Sequence, residues 1–391
     1  MLELPALRRP VNAAPALPPP LRPIFVKPSP EIAGRGRLWI PAVQLLIGLT
    51  ILLLLLWQAA SHEALADLTR GQKSGAGIAG AAGLLIGSVG LSFLRWRLIA
   101  GAAGLEMSVS EAFRLGAAGF ATNFVALGNI GGDVVKAALL AHRRRGQRAL
   151  AVSTVVVDRA MGLLALLLFA SAGILAGGVF TGDRPLALRA MAHASLAITV
   201  VAILCFALAI APGRPLWRLA SWVRRIPRIG RLLGQAALLI DAYRHGRLRL
   251  MAALGVGLMT DAAFVLSFYT IAKSLPLDSP GLAEHFVIVP LGLIAGALPI
   301  SPSGLGTVEA TVDLLYQSLG KAVPAGHGSL VAFAHRLLML GVGAVAVVYY
   351  LASGTRDRAA SAISEDNKTT AVEGSGTAEP IATPAASRQT V

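Results

Sequence analysis

The stretch LWIPAVQLLIGLTILLLLLWQAA, residues Leu38–Ala60, holds 23 residues and no charged side chain. A helix needs roughly 20 consecutive apolar residues to cross the hydrocarbon core of a bilayer. Comparable apolar runs recur at about residues 75–95, 149–180, 190–212, 250–274 and 328–351. The sequence therefore predicts an all-α, polytopic integral membrane protein with about six full spans.

The overall composition supports a membrane protein and argues against other classes. Hydrophobic residues make up 55% of the chain and charged residues only 14%, against about 25% charged residues in a typical soluble domain. The net charge of +15 could indicate nucleic-acid binding in a soluble protein. Here the basic residues lie in short loops without interleaved aromatic residues, so we expect no nucleic-acid partner. The single cysteine, Cys205, excludes a disulfide framework.

The chain divides into three parts. Residues 1–37 are rich in proline and hold six Lys or Arg against two acids, which predicts a disordered basic cytoplasmic arm. Residues 38–352 form the predicted transmembrane domain, and residues 353–391, rich in Ser, Thr, Ala and Gly, a disordered cytoplasmic tail. Residues 214–249 carry nine arginines and an apolar stripe, which indicates an amphipathic segment on the cytoplasmic leaflet or a solvated basic loop.

The distribution of basic residues predicts the orientation. Segments assigned to the cytoplasm hold 23 Lys or Arg near the membrane, whereas the outer loops hold five. Cytoplasmic loops of membrane proteins carry such an excess of positive charge. Both termini are therefore predicted to be cytoplasmic.

Two further apolar regions, residues 110–141 and 286–320, are interrupted rather than continuous. The first is broken by GNIGGD at 128–133 and the second by PISPSGLG at 299–306. Glycine and proline at this density break a helix and permit a tight reversal. Because each half is too short for a full crossing, we predict two re-entrant helical hairpins. The residues expected to form the breaks are Gly131, Gly132, Pro299, Pro302, Gly304 and Gly306.

The predicted order span, span, hairpin, span occurs twice. The first set begins on the cytoplasmic side of the membrane and the second set begins on the outer side. This is an inverted-topology repeat, which is common in carriers that alternate between two membrane faces. Asp133 lies 26 residues before Arg159, and Glu309 lies 27 residues before Arg336. The matching spacing in both halves supports the repeat and indicates corresponding functional positions.

A substrate-binding site is predicted where the returning half-helices begin. Their N-termini point toward the middle of the bilayer, where free N–H groups and the helix dipole favour an anion. Arginine adds bidentate recognition of phosphate. The alternative is a purely structural role, in which the arginine snorkels to the interface or the acid caps a helix. The candidate residues are two arginines, the two acids that balance them or carry protons, and two neighbours that orient the arginines: Arg159, Arg336, Asp133, Glu309, Asp158 and His335.

Motifs for internal catalysis are missing from the sequence. It contains no Walker loop, no His-Glu-x-x-His motif and no Gly-x-Ser-x-Gly elbow. We therefore expect no catalytic residues, no cofactor and no metal, and a protein that is not an enzyme.

Four motifs in order resemble a known family. They are Gly131-Gly132-Asp133 with Lys136, Val157-Asp158-Arg159 with Gly162, the 299–306 break with Glu309, and His335-Arg336. The chain from about residue 40 to 350 resembles the flippase-like transmembrane domain of lysylphosphatidylglycerol synthases and its free-standing relatives. The resemblance implies an inner (plasma) membrane protein that handles lipids between leaflets, in pathways of aminoacylated phosphatidylglycerol, hopanoids or glycolipids. Ser301-Pro302-Ser303-Gly304 carries a serine where relatives often carry glycine.

The favoured hypothesis is a translocator of a lipid or lipid-linked headgroup, which alternates exposure of a midplane site to the two faces. Its partners would be membrane lipids with an anionic headgroup. Because the large aminoacyl-transferase domain of the synthases is not expected here, lysyl transfer is not predicted. Two rivals stay open: a non-transporting membrane subunit that supports a glycosyltransferase or lipid-modifying enzyme, and an enzyme acting on lipid within the bilayer.

Overall fold

The computed structural model describes residues 71–123, 131–176, 186–211, 242–298, 301–320 and 323–375. Within the predicted first span it describes five positions, all helical: Leu46, Thr50, Leu53, Leu54 and Trp57. The predicted arm at 1–37 and most of the basic segment at 214–249 lie outside the described residues. All regular secondary structure in the described part of the chain is helical.

The described ranges contain nine α-helices, joined in places by short 3-10 turns at Arg145–Gln147, Arg244–Gly246 and Pro302–Gly304. In chain order they are α1 (Gly75–Ala102), α2 (Val109–Thr122), α3 (Gly131–Arg143), α4 (Arg148–Ala176), α5 (Leu186–Ile210), α6 (Arg247–Ser274), α7 (Leu282–Gly296), α8 (Thr307–Leu319) and α9 (His327–Ser375).

Five helices are long and apolar enough to cross a membrane. They are α1, α4, α6, residues Leu188–Ile210 of α5 and residues His327–Ser353 of α9, with mean hydropathy between 1.8 and 2.4. They coincide with five of the six predicted spans. The chain is therefore a multi-pass, α-helical membrane protein.

Two helices extend further than the apolar pattern predicts. Helix α1 continues past the predicted end at residue 95 to Ala102, because the next strong breaker is Gly104, which has φ +80° and follows the helix as a left-handed cap. Helix α9 continues to Ser375, so the backbone of residues 354–375, predicted as part of a disordered tail, is helical. Once a helix has formed, each added residue contributes a hydrogen bond without a new nucleation step.

Two pairs of short helices replace full spans where the sequence is broken. Helices α2 and α3 have 14 and 13 residues, and α7 and α8 have 15 and 13, which corresponds to about 20 Å each at 1.5 Å per residue. Within each pair the two helices pack against one another. In the first pair the backbones meet closely, since a Cβ on Gly132 would lie 2.0 Å from the carbonyl oxygen of Gly119.

The helices of the first half (α1–α4) pack against those of the second half (α5–α9). Helix α4 of the first half packs against α7 of the second, and α9 packs against α2. The most extensive helix pair is α1 with α6. At its centre the hydroxyl of Ser88 donates to the carbonyl of Thr260 at 2.9 Å, across a separation of 172 residues, the same offset that relates the first residues of α1 and α6.

Candidate functional site

The first predicted acid–arginine pair is in contact. Asp133 lies in the first turn of α3, and the Nε of Arg159 on α4 donates to its carboxylate. Arg159 stands eleven residues into α4, about 16 Å along the helix. The Arg159 side chain is 55% exposed and that of Asp133 is 15% exposed. The pair therefore presents a cationic side chain at an accessible position well inside a membrane-spanning helix.

The second pair is also in contact, but it is enclosed by protein. The Nε of Arg336 donates to Glu309 at 2.5 Å, and its two Nη atoms lie 3.4 and 3.3 Å from the carbonyl oxygens of Ser303 and Gly304. The other oxygen of Glu309 accepts from the backbone N–H of Gly306 at 2.8 Å. Glu309 is 1% exposed and Arg336 is 24% exposed. Arg336 and Glu309 together stabilise the turn before α8 through hydrogen bonds to its backbone.

Asp158 interacts electrostatically with the neighbouring Arg159, but its hydrogen bonds go to other residues. Its two carboxylate oxygens accept from the Nε of Arg95 at 2.8 Å and from the Nζ of Lys136 at 3.3 Å. Adjacent helical residues point in directions about 100° apart, so Asp158 faces α1 and α3 instead. All three side chains are nearly buried, with exposures of 5, 10 and 11% for Asp158, Arg95 and Lys136.

This buried cluster is closely supported by its surroundings. The ammonium of Lys136 lies 4.6 Å from the ring centre of Trp96, a favourable cation–π position. The indole N–H of Trp96 donates to Thr154 at 3.1 Å. A Cβ on Gly162 would lie 3.0 Å from an Nη of Arg95, so glycine at this position makes room for the guanidinium.

His335, the counterpart of Asp158 in the second half, has a neutral environment. Its Nε2 lies 3.3 Å from the hydroxyl of Ser267 on α6, and this hydroxyl donates to the carbonyl of Ala81. The His335 ring contacts Phe264 edge-on and Phe268 at a tilt, with centroid distances of 4.8 and 4.9 Å. His335 therefore ties α9 to α6 and does not orient Arg336 by a described hydrogen bond.

The break residues have structural roles where they are described. Gly131 and Gly132 open α3, and the side chain of Asn123 accepts from the N–H of Gly132 at 3.0 Å. Gly304 and Gly306 have φ of +66° and +79°, a region that favours glycine. Pro302 lies in the 3-10 turn that precedes α8, whereas Pro299 is outside the described residues.

Three members of the charged region were not among the predicted site residues. Arg95, one of the 23 basic residues counted as cytoplasmic, lies inside α1 at 8% exposure. Lys136 and Asp261 are also buried, at 8 and 9%. The signal that could have identified Arg95 is the apolar sequence that continues beyond it to Ala102.

The two halves differ in charge around the pairs. In the first half Arg95, Lys136 and Arg159 interact electrostatically with Asp133 and Asp158, and Arg95 also interacts with Asp261, so three cations face three carboxylates. In the second half one cation, Arg336, faces one carboxylate, Glu309. Asp313 lies nearby, and its Oδ1 accepts from the N–H groups of Gly326 and Ser329 at the start of α9. The first half therefore holds the larger group of charged side chains.

The described side chains offer no ready metal centre. Within the described ranges, no group of three or more His, Cys, Asp and Glu residues is placed to hold a metal ion. The chemistry of the charged region is that of arginine, lysine and carboxylate groups.

Fold and charged pairs define a polytopic α-helical membrane protein with an arginine–carboxylate pair at each of the two breaks. Residues 45–346 match the family described as lysylphosphatidylglycerol synthase TM region. The match covers most of the chain, and the protein belongs to this family. No curated protein is similar enough to this chain to count as a match.

Proposed function

We propose that the protein translocates a lipid with an anionic, phosphate-bearing headgroup between the leaflets of the plasma membrane. The observation that carries this proposal is the group of three cations in the first half, Arg95, Lys136 and Arg159, in which the side chain of Arg159 is 55% exposed. When Asp261 is protonated, these cations exceed the ionised Asp133 and Asp158 by one charge, which one negative headgroup would neutralise. Membership of a lipid-related membrane family supports the same reading.

Arg159 is the residue assigned to the headgroup. It is the more exposed of the two paired arginines, at 55% against 24% for Arg336. The α3 N-terminus lies beside it, and its partial positive charge adds to the attraction of an anion. Arg336 is assigned to the hairpin turn, so the two-arginine site expected from sequence becomes a one-arginine site.

The proposed topology follows from the placement of the basic residues. The end of the molecule with Arg97, Arg143, Arg144 and Arg249 is assigned to the cytoplasm, with both termini on that side. The short pairs α2–α3 and α7–α8 are assigned as re-entrant hairpins. The crossed packing of α4 on α7 and of α9 on α2 provides the two interfaces across which the halves could exchange exposure.

The proposed activity is transport without chemical change of the lipid. A direct test uses the purified protein in liposomes with trace amounts of acyl-labelled phosphatidylglycerol or phosphatidylcholine, and measures leaflet exchange with a quencher that cannot cross the bilayer. We expect faster exchange of phosphatidylglycerol than of phosphatidylcholine. Arg159→Gln should abolish the difference, whereas the control Arg249→Gln, at the arginine-rich end, should retain it.

Other outcomes would redirect the assignment. Exchange no faster than in protein-free liposomes, for both lipids and with or without a proton gradient, would contradict transport and favour a subunit that supports a lipid-modifying enzyme. A chemically altered lipid recovered from the liposomes would instead indicate an enzyme.

A further inference from the structure

Asp261 is a buried carboxylate that the fold does not require. It lies in the middle of α6, fifteenth of its 28 residues, and is 9% exposed. Among the described residues its Oδ2 is buried without a hydrogen-bond partner. Ionisable groups at this depth are costly, and they usually serve a function.

Comparison with the other half supports this reading. Helices α1 and α6 both have 28 residues and begin 172 residues apart, so matching their first residues aligns Val89 with Asp261. Val89 is a partly buried apolar residue that packs against a small cluster of buried apolar residues, Phe93, Ala117 and Ala346. Because an apolar residue fills the related position, packing alone does not demand a carboxylate at Asp261.

The charged neighbourhood of Asp261 is asymmetric. Arg95 on α1 interacts with it electrostatically, while the Nε of Arg95 is hydrogen-bonded to Asp158. Asp261 is therefore near this cation without a hydrogen bond from it that would hold it in the ionised form. Up to residue 353, the other charged or titratable groups on the helices packed against α6 are Arg97 on α1, Arg148, Asp158 and Arg159 on α4, Glu284 and His285 on α7, and His327, His335, Arg336, Tyr349 and Tyr350 on α9.

The groups around Arg95 can be neutralised in two ways. Without Asp261, the first-half cluster has one excess positive charge. Either an ionised Asp261 or a bound monoanionic headgroup cancels this charge, but both together leave an excess negative charge in a region of low dielectric constant, where such an imbalance is costly.

From this we infer that Asp261 is a proton-binding site that takes up one proton when an anionic headgroup binds beside Arg159. The inference rests on the proposed function, because the headgroup is the charge that replaces the carboxylate. The linkage is reciprocal, so protonation of Asp261 strengthens headgroup binding by the same factor. A proton gradient could then drive the movement of the lipid.

A proton fits this site better than a metal ion. Arg95 and Lys136 repel a further cation, whereas a proton removes the carboxylate charge and requires no coordination shell. In the described ranges no group of His, Cys, Asp and Glu side chains is placed to hold a metal.

The test measures phosphatidylglycerol binding by the purified full chain in mixed micelles across a series of pH values. The phosphodiester of this lipid keeps one negative charge throughout, so its own titration does not interfere. We expect the affinity of the wild type to fall by up to about tenfold per pH unit as Asp261 ionises, with proton uptake on binding in weakly buffered solution.

Asp261→Asn should bind without proton uptake and without this pH dependence. Asp278→Asn, which alters an exposed loop carboxylate, should behave as the wild type.

An infrared titration of the lipid-free protein, carried out beside the binding experiment, separates this inference from the proposed function. A protonated-carboxyl band that titrates in the wild type and is absent in Asp261→Asn supports the proton site, even if phosphatidylglycerol does not bind and the headgroup assignment fails. Binding by the wild type without proton uptake would overturn the coupling, and so would unchanged proton uptake in Asp261→Asn. The wild-type arm decides the question even if the variant fails to fold.

Discussion

The two halves of the repeat share a frame but differ in what lies behind the acid–arginine pair. In the first half Asp158 joins Arg95 and Lys136 in a buried ionic cluster, whereas in the second half His335 and Ser267 occupy the related places. The first arginine is more than half exposed, and the second is fastened to the turn before α8. The comparison assigns ligand binding to the first half and support of the hairpin to the second.

The largest expected loss of stability concerns Asp158 and His335, the residues that precede the paired arginines in the chain. Asp158→Asn removes the only carboxylate that is hydrogen-bonded to the buried Arg95 and Lys136 among the described residues, so we expect a loss of about 3–5 kcal/mol in the free energy of unfolding. His335→Asn should cost about 1–3 kcal/mol, since only neutral contacts are lost. Unfolding in detergent would measure both. Equal losses would contradict the proposed difference between the halves.

Substitutions of the two paired arginines should differ in their effect on stability, because only Arg336 is assigned a structural role. Arg336→Gln removes the contacts to Ser303 and Gly304 and leaves Glu309 buried, so we expect a loss of about 2–3 kcal/mol. Arg159→Gln affects a more exposed pair and should cost less than about 1 kcal/mol. Thermal unfolding of the two variants would give their order, and a greater loss for Arg159→Gln would reverse the assignment.

The hairpin of the second half contains a strained residue that has a simple test. Ser303 has φ +53°, a left-handed conformation that costs a non-glycine residue roughly 1–2 kcal/mol. Ser303→Gly should therefore raise the free energy of unfolding by about 1 kcal/mol. Ser303→Ala keeps the left-handed strain and should give no such gain.

The smallest effect is expected at the arginine-rich end. Glu111 accepts from Arg143 and Arg144 at 3.3 and 3.4 Å, and both arginines are about one-third exposed. Glu111→Gln should cost less than about 1 kcal/mol, and added salt should reduce the difference because exposed pairs are screened. A salt-independent loss of several kcal/mol would show that this end carries more of the fold than its exposure indicates.

Much of the architecture could be predicted from sequence because membrane helices need long apolar runs and glycine–proline clusters break them. The matching 26- and 27-residue spacings drew attention to two acids and two arginines, and in the structure Arg159 contacts Asp133 and Arg336 contacts Glu309. Tertiary placement was harder to predict. Arg95 was taken for a flanking charge because the end of an apolar run does not mark the end of its helix.

Neighbouring residues also misled the sequence interpretation. Asp158 and His335 precede the arginines in the chain, yet a helix turns them toward other partners, Arg95 and Ser267. The lone lysine in the short helix α3 carries no sequence signal that it faces Asp158, because that contact depends on how α3 and α4 pack. The different exposure of the two arginines likewise arises from the turn before α8, whose carbonyls hold Arg336.

Paired binding titrations of phosphatidylglycerol to Arg159→Gln and Arg336→Gln test the division between the halves most directly, with affinities corrected for the folded fraction. We predict that Arg159→Gln weakens binding at least about tenfold, equivalent to about 1.4 kcal/mol, and that Arg336→Gln binds like the wild type. Equal weakening by both variants, or weakening by Arg336→Gln alone, would contradict the assignment of the headgroup to the first half.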